Sequence, residues 1–280
     1  MAKSTPTPTL KWAITATASL IVFVWLTSRR RDTVSGAGRK AMVAHTLERD
    51  DVTEVLGIGR HSSSVIFLHG LGGRVAQVMP LVEYMRPRLF QASWVMPAAP
   101  KMAITALDGT EVPAWFDMVE MTLPKDPPMP KHEAEQDMHN SVKRVHELIA
   151  DEIAKGIDPD RIVISGFSQG CAISLLAAMS TPHRLAGVMC LSGWLPMAYK
   201  IQNKKHPMQT DHAAEIPVFW GHGTADNTIQ YNWGEESVAY LSQLGFKDID
   251  FRTYPSLTHW IEEFQYDDIL AWLKKRIPPI

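Results

Sequence analysis

From residue 62 onward, the chain alternates between short apolar runs and longer stretches whose apolar residues recur with helical spacing. The short runs are rich in β-branched residues and end in glycine-rich or polar loops, a pattern that predicts buried strands. These runs are residues 64–69, 161–165, 216–221 and 249–254. The longer stretches predict helices at residues 133–155 and 171–179. Alternating strands and helices predict an α/β fold, with a mostly parallel central sheet and helices on both faces.

A serine lies at the sharpest of these strand-to-helix junctions. Residues 166–170 read Gly-Phe-Ser-Gln-Gly, between the predicted strand at 161–165 and the predicted helix at 171–179. This context is typical of the nucleophile elbow of the α/β-hydrolase fold, in which a tight turn exposes the serine hydroxyl at the start of a helix. Ser168 is therefore the candidate nucleophile. The alternative is an ordinary turn that carries a solvent-exposed serine.

An acid and a base follow Ser168 in the order that α/β-hydrolases use. Asp226 lies in the polar loop after the strand at 216–221, and His259 lies in the loop after the strand at 249–254. Loops at the carboxyl ends of parallel strands meet at one edge of a sheet. We predict that His259 accepts the Ser168 proton and that Asp226 orients the imidazole. The alternative base is His222, and the alternative acids are Asp211, Asp248 and Asp250.

Two backbone N–H groups are needed to hold the negative charge that develops during acyl transfer. The residue after the nucleophile, Gln169, supplies one of them. The second is expected from the loop after an early strand, which here reads Gly-Leu-Gly-Gly at residues 70–73. Leu71 is the predicted donor, since the glycines around it allow the backbone to approach a substrate closely.

Six motifs along the chain occur in the order and at the spacings of one family; they begin at His69, Ala114, Gly166, Leu191, His222 and Gly234. Through these motifs, the chain from about residue 63 to the C-terminus resembles the acyl-protein thioesterase/lysophospholipase family of carboxylesterases. The resemblance implies a serine hydrolase that needs no cofactor. It also implies hydrolysis of long-chain acyl thioesters or esters, including S-palmitoyl groups on proteins, so the expected partner is an acylated protein or a lysolipid.

Other functions remain open at this point. A lysophospholipase or a small-ester carboxylesterase would use the same fold and the same residues, because specificity depends on the pocket. The chain also departs from the family at Gly73, where an aspartate is usual, which leaves the substrate preference open. A non-catalytic, membrane-tethered binding protein is a further alternative, and the presence of all of Ser168, Asp226 and His259 argues against it.

Residues 101–131 form the least regular part of the predicted domain and are rich in methionine and proline. A long connection inside a compact domain is usually functional or mobile, and methionine packs adaptably around flexible apolar groups. We therefore predict a cap over the acyl chain, with Trp115 and Phe116, and also Trp194, contacting the substrate. The alternative is that these residues only cover an edge of the sheet.

The N-terminal segment predicts a membrane anchor. Residues 12–28 carry no charge, have tryptophans near both ends, and are followed by three arginines. A cleaved secretory signal fits less well because arginines stand where small residues are expected. An organellar presequence, removed after import, is the other alternative. The predicted organisation is thus an anchor or targeting segment at 1–30, a linker at 31–61 and a catalytic domain at 62–280.

The basic residues around the predicted anchor indicate its orientation. Positive charges are more frequent on its C-terminal side than on its N-terminal side, which predicts that the catalytic domain faces the cytosol. The expected localisation is therefore a single-pass membrane protein, held close to acylated proteins and lysophospholipids.

Composition adds three further expectations. A net charge of −2 gives no electrostatic reason to expect nucleic-acid binding. The two cysteines, Cys171 and Cys190, fall in or beside predicted core elements and are interpreted as buried free thiols. No spacing of ligand residues predicts a metal site, and the sequence leaves the oligomeric state open.

Overall fold

The computed structural model describes residues 46–49, 51–121 and 134–280. Eight of its strands form one sheet in the order β1-β2-β4-β3-β7-β8-β9-β10, in which neighbouring strands from β4 to β10 run parallel. The bounds of these strands are β1 (Thr46–Arg49), β2 (Val52–Val55), β3 (Ser63–Leu68), β4 (Ala92–Pro97), β7 (Ile162–Phe167), β8 (Gly187–Leu191), β9 (Val218–Gly223) and β10 (Ile249–Tyr254). The α/β prediction and its mostly parallel sheet are confirmed.

Helices cover both faces of this sheet because side chains of a buried strand alternate between the two faces. In β3, Ile66 and Leu68 pack into one apolar cluster, whereas Val65 and Phe67 pack into the other. The first cluster includes residues of α2 (Glu135–Ala154), α3 (Gln169–Ser180) and α4 (Tyr231–Gln243), and the second includes residues of α1 (Met79–Met85) and α5 (Tyr266–Arg276). A strand with two buried faces reads as a continuous apolar run, which is why β3 and β7 are recognisable in the sequence.

The predicted fold class requires one correction, which concerns the membrane. None of the helices in the described part of the chain is long and apolar enough to cross a bilayer. A span needs about 20 consecutive, predominantly apolar residues, and the longest described helix, α2, is amphipathic with several charged residues. The predicted anchor, residues 12–28, lies outside the described residues. The described helices give no support to the predicted transmembrane helix or to the single-pass membrane localisation, and both predictions are withdrawn.

The sheet begins earlier than the predicted domain boundary at residue 62. β1 and β2 pair with each other in antiparallel orientation, and β2 continues the sheet by pairing with β4. Both strands fall within the segment predicted as a linker, 31–61. They lie at one edge of the sheet and are only four residues long, so they lack the long apolar run of a central strand.

The predicted cap segment also contains regular structure. β5 (Lys101–Ile104) and β6 (Thr110–Pro113) pair as an antiparallel hairpin that is separate from the main sheet. Residues 122–133, which include its proline-rich part, lie outside the described residues.

The interpretation of the cysteines as free thiols is wrong for this structure. Cys171 and Cys190 are joined as a disulfide, with their Cα atoms 4.8 Å apart. Cys171 lies in α3 directly after the elbow, and Cys190 lies in the neighbouring strand β8. The pairing depends on the approach of α3 to β8, which sequence separation alone does not reveal.

Candidate active site

Ser168 occupies a strained turn between β7 and α3. Its backbone angles are φ 55° and ψ −120°, in a region that L-residues rarely adopt. The turn is possible because its flanks are glycines: a Cβ on Gly170 would overlap the carbonyl of Leu68, and a Cβ on Gly166 would overlap the backbone of Gly170. The Ser168 side chain thus stands at the N-terminus of α3, at the carboxyl end of the sheet, with 8% of the residue surface exposed.

The structure brings together the three residues predicted as a catalytic triad. His259 Nε2 lies 2.9 Å from Ser168 Oγ, and His259 Nδ1 lies 2.7 Å from Asp226 Oδ2. Asp226 follows β9 and His259 follows β10, while Ser168 follows β7, so all three stand beyond the carboxyl ends of parallel strands. When Asp226 accepts a hydrogen bond from the Nδ1–H group, the unprotonated Nε2 faces the serine hydroxyl. This arrangement can remove a proton from Ser168 and deliver it to a leaving group.

Asp226 is held by more than the imidazole of His259. Its Oδ1 accepts hydrogen bonds from the backbone amides of Thr228 and Ile229, each at 2.9 Å. Burial of the carboxyl disfavours its charged form, but hydrogen bonds from His222 and His259 outweigh this effect and lower the pKa of Asp226 to about 2. The acid therefore remains ionised under all conditions in which the fold is expected to work.

The low pKa of Asp226 predicts a loss of stability in acid. Because its folded-state pKa lies below the ordinary value of 3.8, Asp226 stabilises the fold above about pH 4, and about 2 kcal/mol of that stability is lost as the pH falls towards about 2. Urea unfolding at several pH values, with wild type and Asp226→Asn, measures this contribution. The variant is expected to lose less stability than wild type in that window. Equal losses in both proteins would assign the acid sensitivity to other groups.

The alternative base and the alternative acids are placed elsewhere. His222 is fully buried behind the acid, with Nε2 2.8 Å from the carbonyl of Ile229 and 3.5 Å from Asp226 Oδ2. The alternative acids each contact a cation away from Ser168: Asp211 with Lys205, Asp248 with Arg276 and Asp250 with Arg252. None of these four residues reaches the serine hydroxyl, so the structure favours the predicted assignment.

The predicted oxyanion donors lie on two loops next to Ser168, which we call the oxyanion loops. They are the elbow at residues 166–170, which carries Gln169 at the start of α3, and the loop at residues 70–73, which carries Leu71. Gln169 is the first residue of α3, so its N–H has no acceptor within the helix. In the loop 70–73, the amides of Gly72 and Gly73 donate to Pro113 and Gly70 carbonyls, at 2.7 and 2.9 Å respectively. Leu71, directly before Gly72, stays the predicted second donor.

One contact at the site was missed by the sequence reasoning. The ring of Phe167 packs against the imidazole of His259, with centroids 4.7 Å apart. Trp260 packs edge-on against the ring of Phe167. This aromatic packing and the hydrogen bond to Asp226 together restrict the orientation of the imidazole. The only signal in the sequence was a large apolar residue directly before Ser168, which by itself does not indicate a partner.

The three aromatic residues predicted to contact substrate lie in the apolar core beside the elbow. Trp115, Phe116 and Trp194 are each at most 2% exposed. The indole N–H of Trp115 donates to the carbonyl of His69 at 2.7 Å, and Phe116 packs edge-on against Trp194 with centroids 6.0 Å apart. They are thus near the site, whereas contact with a substrate remains a prediction.

A second cluster of titratable groups lies at the other end of β3. Glu54, His61 and Glu152 approach one another closely enough to suit a metal ion. Lys155 Nζ, however, lies 3.1 Å from a Glu54 oxygen and also contacts Glu152. The ammonium group pairs with both buried carboxylates, and we interpret the cluster as a structural ion-pair network.

The sequence of this chain is similar to a known family and to several known proteins. A family model described as phospholipase/carboxylesterase matches residues 53–277. The acyl-protein thioesterase 1 of Cryptococcus neoformans is 36% identical over 229 residues, which cover 78% of this chain and 93% of the relative. The probable carboxylesterase SOBER1-like of Arabidopsis thaliana is 33% identical over 242 residues, which cover 82% and 87% respectively.

Solved structures give the same result. The crystal structure of Arabidopsis thaliana SOBER1 matches with a TM-score of 0.68 and 31% identity, covering 77% of this chain and 99% of that one. The structure of Zea mays acyl-protein thioesterase 2 matches with a TM-score of 0.70 and 28% identity, covering 82% and 100%. The part of the chain that matches the family model contains Ser168, Asp226 and His259.

Proposed function

Because the chain belongs to the phospholipase/carboxylesterase family of serine hydrolases, we propose that Ser168, His259 and Asp226 hydrolyse long-chain acyl thioesters on protein cysteines. The family predicted from the sequence is confirmed, and so is the class of activity, a serine hydrolase that acts on acyl thioesters and esters. The finer assignment, removal of S-palmitoyl groups from proteins, is supported by several relatives that are named acyl-protein thioesterase 1.

The observation that carries the mechanism is the continuous contact from Ser168 through His259 to Asp226. Ser168 Oγ attacks the acyl carbonyl carbon as its proton passes to His259 Nε2. The N–H groups of Leu71 and Gln169 hold the oxyanion. The thiolate leaves and takes up the proton, and the acyl group remains on Ser168. Water, deprotonated by His259, then attacks this ester and releases the fatty acid and the free serine.

A short-ester carboxylesterase is the second candidate, and it is favoured by a specific observation. The solved relative Arabidopsis thaliana SOBER1 is named a carboxylesterase and is 31% identical to this chain. A lysophospholipase is the third candidate, supported only by the description of the family model. All three reactions share the acyl-transfer step, so only the choice of substrate separates them.

A competition between substrates tests the proposed specificity. The full-length protein is assayed with an S-palmitoylated peptide, with a lysophosphatidylcholine and with p-nitrophenyl acetate, and Ser168→Ala serves as the control for uncatalysed thioester loss. We expect kcat/KM for the palmitoylated peptide to exceed that for the other two by about 10-fold or more. A higher kcat/KM for the lysolipid would indicate a lysophospholipase, and a higher kcat/KM for the acetate would indicate a short-ester carboxylesterase.

A further inference from the structure

The side chain of Gln169 makes two hydrogen bonds that the proposed mechanism does not use. Gln169 is fully buried. Its Oε1 accepts the backbone N–H of Trp115 at 2.8 Å, and its Nε2 donates to the carbonyl of Phe116 at 2.6 Å. The amide side chain thus pairs with the backbone of a bend that follows β6. The same residue supplies, through its main chain, a candidate N–H donor of the oxyanion hole.

Gln169 holds the segment of residues 113–117, which begins at the last residue of β6. This segment also binds the other oxyanion loop. The Pro113 carbonyl accepts the amide of Gly72 at 2.7 Å. The Trp115 indole donates to the His69 carbonyl, at the start of the loop that carries Leu71. Segment 113–117 is therefore hydrogen-bonded to both of the loops that carry the predicted donors.

This bridging matters because the strand ladder ends before the residues that carry the predicted donors. The ladder between β3 and β7 ends at the pair of Leu68 and Gly166. Beyond that point the two segments pack directly against each other at Gly70 and Gly170, and segment 113–117 adds hydrogen bonds that fix their relative position. An oxyanion hole works only if both N–H groups lie about 2.7–3.1 Å from one developing oxyanion.

We propose that Gln169 acts through its side chain as a positioning residue for the hydrolysis, by fixing segment 113–117 between the two oxyanion loops. The inference rests on the proposed function, in that a Ser168 acyl-enzyme requires this oxyanion hole. Loss of the Gln169 side-chain hydrogen bonds is expected to weaken binding of the transition state more than binding of the substrate. The carbonyl oxygen of a bound substrate carries little charge, so a shift of the donors lowers kcat far more than it raises KM.

The test replaces Gln169 with methionine, which has nearly the same shape and lacks both hydrogen-bonding groups. The backbone N–H stays in place. We expect kcat for p-nitrophenyl acetate to fall by about 10- to 100-fold, with KM changed by less than about threefold. The affinity for a trifluoromethyl ketone, which forms an anionic adduct in the oxyanion hole, should fall by the same factor as kcat/KM. Ser174→Ala is the matched control, because Ser174 is buried in the same helix and bonds only to the carbonyl of Gly170.

Trp115→Phe provides a second variant if the methionine variant does not fold. It removes the indole N–H that reaches His69, together with one ring of the buried side chain, and we expect a smaller loss of kcat, about threefold to 10-fold. Either variant with wild-type kcat, or with a loss confined to KM, overturns the proposal. An equal loss in Ser174→Ala overturns it as well. A wild-type protein that cleaves p-nitrophenyl acetate but no palmitoyl thioester would refute the proposed substrate. The test of Gln169 would still be valid, because it is measured with p-nitrophenyl acetate.

Discussion

Replacement of Ser168 by alanine is expected to lower kcat by about 10⁵- to 10⁶-fold for every acyl substrate that the protein cleaves. The hydroxyl is the only group at the elbow placed to accept an acyl group, since it lies 2.9 Å from His259 Nε2. The fold should survive, because alanine adds no atom to the turn and the strain at φ 55° is already present in wild type. Steady-state hydrolysis of a p-nitrophenyl ester measures the loss.

Ser165→Ala is the matched control for this substitution. Ser165 lies in β7, is fully buried and donates to the carbonyl of Ile66 at 3.0 Å. Its replacement removes a buried hydroxyl three residues before Ser168 and should leave kcat within about threefold of wild type. If Ser168→Ala retained more than a few per cent of the wild-type rate, another nucleophile would have to carry the reaction.

Asp226→Asn is expected to lower kcat by about 10³- to 10⁴-fold. The amides of Thr228 and Ile229 both need an acceptor, so the asparagine oxygen should take the place of Oδ1. Its NH₂ group then faces His259 Nδ1, where the carboxylate accepted a hydrogen bond. The imidazole must turn to the tautomer with its proton on Nε2, which points at Ser168 and blocks proton transfer. The loss should therefore appear in kcat, with KM nearly unchanged.

Asp250→Asn is the control for this second substitution. Asp250 was an alternative acid in the sequence, and its carboxylate pairs with Arg252 on the partly exposed strand β10. Its loss should change kcat by less than about twofold, since exposed ion pairs contribute little. A large loss in Asp250→Asn together with near-normal kcat in Asp226→Asn would reverse the assignment of the acid.

The sequence was informative where local pattern and sheet geometry agree. An apolar strand precedes each of the three predicted triad residues, Ser168, Asp226 and His259. The carboxyl ends of parallel strands meet at one edge of a sheet. Their convergence was therefore predictable from order along the chain. The strained turn at Ser168 was predictable as well, because the glycines on both sides have no other evident reason to be there.

Features that depend on contacts between distant segments could not be predicted in this way. β1 and β2 become part of the sheet only by pairing with β4, and their short, mixed sequences resemble a linker. The hydrogen bonds of Gln169 to residues 113–117 join positions more than fifty residues apart in sequence. The link between Cys171 and Cys190 likewise depends on how closely α3 approaches β8.

The aromatic motif around Trp115 makes contacts that its sequence did not reveal. The sequence predicted a residue that contacts the acyl chain. In the structure the Trp115 side chain is buried, and its backbone and indole groups are bonded to Gln169, Ser141 and His69. Because the polar groups of Trp115 are already hydrogen-bonded to other residues, we infer that Trp115 helps to hold the oxyanion loops in place.

Mapping of a covalent adduct tests the central claim most directly. The full-length protein is treated with a fluorophosphonate, which modifies only an activated nucleophile, and its peptides are analysed by mass spectrometry. The account predicts one phosphonyl group, on Ser168, and a rate of labelling that falls sharply in Asp226→Asn. A wild-type protein that is not labelled, or that carries the adduct on another residue, would contradict it.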